Sequence, residues 1–215
     1  MKKVAFFVDW DNLRYSIRQI KHKNRPDFDD FDYNNAEHIA KLFKLFLEPD
    51  NEEYYRIFFY TARPLRDEEI MSKLGNKSAQ KGYKSYLEDR IKDNIYNIAS
   101  AFLDSIVEQD YIALRTGKMQ VRCFKDGRLD IVQKQVDMLI GLDISEVSYN
   151  KHADKIIVFS KDTDMIPALK TARINGLEVC LANFEENNFI AQDLIIHSDK
   201  IVTKNFKELI TEIKR

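Results

Sequence analysis

The segment that most constrains the fold is residues 156–169, in which an apolar run ends abruptly in two aspartates. The first four residues of this segment are β-branched or aromatic and show no alternation, which is typical of a strand buried on both faces of a parallel sheet. Polar residues interrupt the run, and apolar residues then recur at helical spacing. The pattern predicts a strand, a tight loop and a helix. Because open α/β sheets keep their ligand sites at the carboxyl ends of strands, Asp162 and Asp164 lie where a site is expected.

The same order of elements recurs along the chain. Residues 4–8 form an apolar run that ends in Asp9, and a helical pattern follows them. Residues 54–60 and 177–182 are also strongly β-prone, with helical stripes between the runs. Strands that alternate with helices indicate a mainly parallel sheet with helices on both faces. The predicted fold class is therefore α/β, a three-layer α/β/α arrangement around a mainly parallel central sheet.

The middle of the chain departs from this alternation. Helical periodicity predicts one long helix over residues 86–107 and another over residues 132–148. Residues 111–124 alternate on either side of a central Thr-Gly-Lys, so two short strands or a hairpin fit. We expect a single domain over residues 1–215, with a helical excursion at about 61–110.

Composition narrows the class of protein. The chain has 44% hydrophobic and 32% charged residues, as ordinary soluble globular proteins do. Its formal net charge of -1 argues against a uniformly basic surface that binds nucleic acid throughout. Cys123 and Cys180 belong to no Cys-x-x-Cys pair and are expected to be reduced thiols. Without an export signal or a membrane-spanning segment, a soluble cytoplasmic protein with no membrane partner is expected.

Four aspartates are candidates for a metal site. Asp9, Asp162 and Asp164 follow predicted strands, whereas Asp137 interrupts the apolar run 136–140, where an unpaired buried carboxylate would be costly. Crowded carboxylates are tolerated when a divalent cation lies among them, and a set of oxygen ligands favours Mg²⁺ or Mn²⁺, as one ion or two. Helix capping is the alternative for the aspartates at helix starts taken singly.

Three motifs occur in order along the chain. Residues 7–13 read Phe-Val-Asp-Trp-Asp-Asn-Leu, and residues 134–137 read Lys-Gln-Val-Asp. Residues 159–167 read Phe-Ser-Lys-Asp-Thr-Asp-Met-Ile-Pro, and a Gly-x-x-Val follows at 176–179. In this order the motifs resemble those of the NYN domain family, the LabA-like group within the PIN-like nuclease superfamily. The resemblance covers most of the chain apart from the section near residues 61–110.

The resemblance implies a metal-dependent ribonuclease fold. Its acidic cluster would consist of Asp9, Asp137, Asp162 and Asp164, which would hold the ions directly or through water. Asn12 lies beside this cluster in the first motif and would orient a water molecule or the scissile phosphate. All five residues are therefore candidates for catalysis.

Several other residues are candidates for binding the substrate. Ser160 or Thr163 would bind phosphate or shape the loop that carries the aspartates. Trp10 stands where the family commonly has a small residue, and it either stacks on a base or packs under the first loop. Arg63 and Arg122 belong to two clusters of basic residues, either of which could contact phosphates.

The leading hypothesis is a metal-dependent endoribonuclease that cleaves RNA phosphodiester bonds through a metal-activated water. The RNA is single-stranded or structured, and a homo-oligomer is among the arrangements left open. One alternative is a non-catalytic PIN-like module that binds RNA or a protein. A third hypothesis is a phosphohydrolase that uses an Asp-x-Asp pair as nucleophile and acid.

Overall fold

A mainly parallel sheet organises the chain. The computed structural model describes residues 1–23, 28–89, 95–187 and 189–214. The strands in these residues are Lys2–Asp9 (β1), Glu52–Ala62 (β2), Ile112–Lys125 (β3), Arg128–Lys134 (β4), Lys155–Phe159 (β5), Glu178–Phe184 (β6) and Lys200–Lys204 (β7). Within the described residues they form a seven-stranded sheet in the order β4-β3-β2-β1-β5-β6-β7. Neighbouring strands are parallel except for β4, which runs antiparallel to β3.

Helices cover both faces of this sheet. They are Trp10–Lys23 (α1), Ala36–Leu45 (α2), Asp67–Lys73 (α3), Lys77–Asp89 (α4), Ile95–Ile106 (α5), Val136–Tyr149 (α6), Ile166–Ile174 (α7), Gln192–Ile196 (α8) and Phe206–Lys214 (α9). Successive side chains of a strand point to opposite faces. Phe6 therefore belongs to the core cluster that includes residues of α1, α2, α5 and α9, and Phe7 to the one that includes residues of α6, α7 and α8. The predicted α/β class and its three-layer arrangement are confirmed. No helix in the described part of the chain is long and apolar enough to cross a membrane.

The strand β3 is longer than the sequence pattern predicted. It continues through Gly117, which still pairs with β2, and the hairpin to β4 turns at Asp126 and Gly127. Both turn residues have positive φ, 51° and 70°, as a two-residue hairpin turn of the Asp-Gly type requires. Gly117 is present for a different reason, because an added Cβ there would lie 2.5 Å from the Lys134 carbonyl oxygen.

Two predicted helices have different bounds in the structure. The helix predicted from residue 132 begins at Val136, because the preceding residues pair with β3 as part of β4. The helix predicted over 86–107 corresponds to the end of α4 and to α5, and the segment between them, including Ile91, lies outside the described residues. Helices α3 and α4 pack on the β3–β4 hairpin through a small apolar cluster around Tyr83 and Phe124.

A buried ion pair joins β2 and β5 at the amino ends of these strands. Lys155 Nζ lies 2.8 Å from Glu52 Oε1, and the two residues are only 1% and 4% exposed. Glu52 Oε2 also accepts a hydrogen bond from the Glu48 backbone N–H at 3.0 Å. Burial lowers the pKa of Lys155, but the hydrogen bond from its ammonium to Glu52, with other nearby groups, leaves that pKa above its ordinary value. The Lys155 ammonium is therefore held in its charged form by Glu52, at the edge of the sheet opposite the candidate aspartates.

Candidate functional site

The four candidate aspartates come to the carboxyl edge of the sheet. Asp9 is the last residue of β1, and Asp162 follows β5, the parallel neighbour of β1. Asp137 lies in the first turn of α6, and Asp164 in a short 3₁₀ helix before α7. The charges of Asp137 and Asp162 act on Asp9, and those of Asp162 and Asp164 act on Asp137. The structure thus brings together residues that are far apart in sequence.

Asp9 is the most buried of these carboxylates. Its residue is 9% exposed, and burial raises the pKa of its carboxyl group to about 6. A hydrogen bond that the Asn12 backbone N–H donates to Oδ1 at 3.1 Å acts in the opposite direction, and the charges of neighbouring aspartates raise the pKa further. In the described ranges, no lysine or arginine side chain forms an ion pair with any of the four aspartates. The site therefore concentrates negative charge that no ion pair with a lysine or arginine of the described residues offsets.

The expectation that Asp137 is buried among apolar residues is wrong. Val136 and Ile140 face the sheet, but Asp137 lies outside that stripe and is exposed. A carboxylate is favourable in the first turn of a helix. Partial loss of water, followed by the charges of Asp162 and Asp164, still raises the pKa of Asp137. Its place in the cluster therefore follows from the start of α6 and not from burial in a core.

Hydrogen bonds shape the loop after β5. Asp162 Oδ1 accepts a hydrogen bond from the Asp164 backbone N–H at 2.9 Å, so Asp162 caps the 3₁₀ helix, as the capping alternative predicts. The Asp162 backbone N–H in turn donates to Ser160 Oγ at 3.2 Å, and Ser160 is 6% exposed. Ser160 is therefore placed to shape the loop, whereas Thr163 is exposed.

Asn12 connects the loops that follow β1 and β5. Its side-chain Oδ1 accepts a hydrogen bond from the Lys161 backbone N–H at 3.2 Å, while its own backbone N–H donates to Asp9. Asn12 thereby holds the segment that carries Asp162 against the start of α1. The orientation of a water molecule or a phosphate by Asn12 stays a prediction.

The structure places the predicted substrate-binding residues differently. Trp10 is 3% exposed and packs on Phe102 and Phe59, with ring centroids 4.9 and 5.2 Å away. Of the two alternatives for this ring, its burial agrees with packing under the first loop and not with stacking on a base, because α1 begins at Trp10 and its side chain lies in the core against α5. Arg63 directly follows β2 at the same edge as Asp9. Arg122 lies on the hairpin, five residues beyond the last β3 residue that pairs with β2.

Asp143, which lies further along α6 than Asp137, is already paired. It accepts hydrogen bonds from Tyr60 Oη at 2.8 Å and from Arg115 Nε at 3.0 Å. The Arg115 guanidinium also lies over the Phe58 ring, 5.3 Å from its centroid. These contacts fasten α6 to β2 and β3.

Two exposed aromatic residues beside the site were missed in the sequence. Tyr15 on α1 and Phe189 after β6 are 66% and 77% exposed. Helical periodicity could have identified Tyr15, because it lies two residues from both Leu13 and Ile17, roughly 200° around the helix from this buried stripe. Phe189 stands in a polar segment whose pattern predicts no orientation.

The donor set suits a divalent cation by its chemistry. It consists of carboxylate oxygens, which Mg²⁺ and Mn²⁺ prefer. Burial is the main cause of the raised pKa values of Asp9 and Asp137, and the repulsion between neighbouring carboxylates, which a cation would relieve, adds to it. Among the residues that the structure describes, no three His, Cys, Asp or Glu side chains are arranged closely enough to hold an ion together. The carboxylates therefore suit a metal ion in their chemical type and charge, but in the described residues they do not form a ready-made coordination site.

Asp9 gives the metal-free protein a defined pH dependence. Its folded-state pKa of about 6 lies above the ordinary 3.8, so protonation stabilises the fold, and this contribution is lost as the pH rises through 6. We expect Asp9→Asn to raise the free energy of unfolding in EDTA by on the order of 3 kcal/mol at pH 7.5 and by roughly half as much at pH 5. Urea unfolding of both proteins at the two pH values measures this difference. An unchanged or lower stability of the variant at pH 7.5 would contradict the burial of an unpaired charge.

Comparisons with known proteins identify the family and agree with the fold. The sequence model of the NYN domain family matches residues 3–205. A crystal structure of a protein of unknown function from Vibrio parahaemolyticus is similar in fold, with a TM-score of 0.51 and 16% sequence identity. That alignment covers 96% of this chain and 94% of the other. Among curated protein sequences, none matches the chain.

Proposed function

The chain belongs to the NYN domain family, a PIN-like nuclease family, and from this premise we propose that it is a metal-dependent endoribonuclease. Family membership supports a nuclease-type hydrolase, and the sheet with its two helical layers would form one such domain. The observation that carries the more specific proposal is the cluster of four carboxylates at the carboxyl edge of the sheet, which no lysine or arginine in the described residues neutralises.

Asp9, Asp137, Asp162 and Asp164 would hold one or two Mg²⁺ or Mn²⁺ ions. When bound, such an ion supplies an activated water and stabilises negative charge that develops on a phosphodiester. The chain itself keeps the ligands in place: the Asn12 backbone N–H holds the Asp9 carboxylate, and Ser160 holds the Asp162 backbone. Because these hydrogen bonds are within the protein, the loops need little reordering when a substrate arrives.

Basic residues on the hairpin would contact the RNA backbone. Lys118 and Lys134 are register partners on adjacent strands, and like charges directly opposite one another destabilise a sheet. Lys134 is the last residue of β4 and lies three residues before Asp137, so the pair is near the start of α6. Arg63, Arg122 and the exposed Thr163 are further candidates for phosphate contacts. The phosphates of a bound RNA would offset the repulsion between Lys118 and Lys134.

A circular single-stranded RNA tests the proposal most directly, because it has no ends and only an endonuclease can open it. We expect linear products with Mn²⁺ or Mg²⁺ and intact circles with EDTA. In water enriched in ¹⁸O, the new terminal phosphate should contain one ¹⁸O atom, since water and not the ribose 2′-hydroxyl would attack phosphorus. Circles that stay intact with either metal, or a cyclic phosphate product, would refute this mechanism.

One observation favours a binding module as the second candidate. In the described part of the chain, no three potential ligands lie close enough together to hold a metal ion. A module of this kind would bind RNA stoichiometrically and leave it intact with every divalent metal. The same circular substrate distinguishes the two functions, because retention of intact RNA by the protein in a filter-binding assay supports the module.

A further inference from the structure

A surface pocket lies next to the acidic edge. Its volume is about 340 Å³, in the range of small-molecule sites. It opens between the start of α1 and the loops that follow β5 and β6. The residues that line it are Asn12, Tyr15, Ser16, Lys161, Asn187 and Phe189.

Two aromatic side chains flank this pocket. Tyr15 is 66% exposed and Phe189 is 77% exposed, although aromatic side chains usually bury much of their area. Single exposed apolar residues are ordinary on protein surfaces. Here two of them, from different elements, line the same concavity and are exposed to solvent.

The floor of the pocket is polar and held in place. Lys161 Nζ donates a hydrogen bond to the Asn187 carbonyl oxygen at 2.6 Å, which joins the loops after β5 and β6. The Lys161 backbone N–H donates to Asn12 Oδ1, which joins the same floor to α1. The pocket is thus bordered by three segments that hydrogen bonds connect to each other, and a ligand meets a formed surface.

The pocket and the acidic cluster are formed by the same segments, the start of α1 and the loop after β5. Asn12 lines the pocket and its backbone N–H donates a hydrogen bond to Asp9, while Lys161, another lining residue, immediately precedes Asp162. A nucleotide whose phosphate lies at the aspartates therefore has its base within reach of Tyr15 and Phe189. Bases in a duplex are paired and stacked, whereas bases of a single strand are free to stack on aromatic side chains.

We propose that Tyr15 and Phe189 form a binding site for an unpaired nucleobase next to the scissile phosphate. This inference rests on the proposed nuclease function for its substrate. Stacking on an aromatic side chain tolerates every base, so the site selects for single-strandedness and not for sequence.

Binding in EDTA tests the site without any cleavage. The probes are a fluorescein-labelled ten-nucleotide single-stranded RNA and a blunt duplex of the same sequence, titrated at low salt and followed by anisotropy. We expect Tyr15→Ala and Phe189→Ala each to weaken binding of the single strand by roughly 5- to 150-fold. Binding of the duplex should change less than twofold, and Tyr15→Trp should retain the affinity for the single strand.

Tyr149→Ala is the matched control, because Tyr149 is 67% exposed at the far end of α6. This variant should bind the single strand as the unchanged protein does. The inference is overturned if the Tyr15 and Phe189 variants bind within twofold of the unchanged protein, or if they lose duplex binding equally. If binding falls as expected while circular RNA is never opened, the base site stands and the nuclease proposal fails.

Discussion

Replacement of Asp162 by asparagine is expected to lower RNA cleavage more than about a hundredfold while the protein remains folded. Mutation of a group that only supports a metal ligand typically costs 10- to 100-fold in affinity or activity, and a direct ligand should exceed that range. Asp162 also caps the 3₁₀ helix through the hydrogen bond from the Asp164 backbone N–H. Asparagine caps as well as aspartate does, so the substitution removes the charge and keeps the local structure.

Asp154 provides a matched control at the other end of the same strand. It directly precedes β5, and its Oδ2 accepts a hydrogen bond from the Lys3 backbone N–H at 2.8 Å. Asp154→Asn therefore makes the same chemical change to a carboxylate that also binds a backbone N–H, but far from the acidic edge. It should cleave RNA as the unchanged protein does.

Initial rates on a circular RNA, with Mn²⁺ varied over a wide range, measure this prediction. Mn²⁺ should also raise the melting temperature of the unchanged protein and of Asp154→Asn, and should have much less effect on Asp162→Asn. Asp162→Ala separates the two roles of the residue, because it also loses the cap at a cost of about 1 kcal/mol. Activity of Asp162→Asn within tenfold of the unchanged protein would remove Asp162 from the metal site.

The convergence of Asp9 and Asp162 could be predicted because it depends on local patterns. Each residue follows an apolar run without alternation, and such runs become neighbouring parallel strands whose carboxyl ends share one edge. Asp137 reaches the same edge because its helix begins near the ends of the strands, whereas the expected burial of its side chain is wrong. Its apolar neighbours suggested burial, but α6 begins at Val136, and Asp137 in its first turn is exposed.

The remaining features depend on contacts between distant segments. Gly117 resembles a turn residue in the sequence, yet it serves the close passage of the chain between β4 and α6, since an added Cβ would lie 2.7 Å from Val136 Cγ2. The burial of Trp10 depends on Phe102 of α5, more than 90 residues away in sequence. Local sequence periodicity predicts neither the close approach at Gly117 nor the burial of Trp10, because each depends on how distant elements pack together.

Truncation of Glu52 to alanine is expected to cause the largest loss of stability, about 3–5 kcal/mol in the free energy of unfolding. Lys155 is 1% exposed and loses the carboxylate 2.8 Å from its ammonium, so a charge would remain buried without its partner. The Glu48 backbone N–H loses its acceptor as well. Urea unfolding with an unchanged slope would give the difference in stability directly.

Two further variants separate the buried charge from the lost contacts. Lys2 and Glu178 form an exposed ion pair at the same edge, 3.0 Å apart, so Lys2→Gln should cost no more than about 1 kcal/mol. Combining Glu52→Leu with Lys155→Met replaces both charges by apolar side chains and should recover most of the stability, apart from about 1 kcal/mol for the Glu48 N–H. If this double variant is as unstable as Glu52→Ala, the loss comes from packing and not from an unpaired charge. Because the pair lies at the amino ends of the strands, every folded variant should keep the RNA cleavage of the unchanged protein.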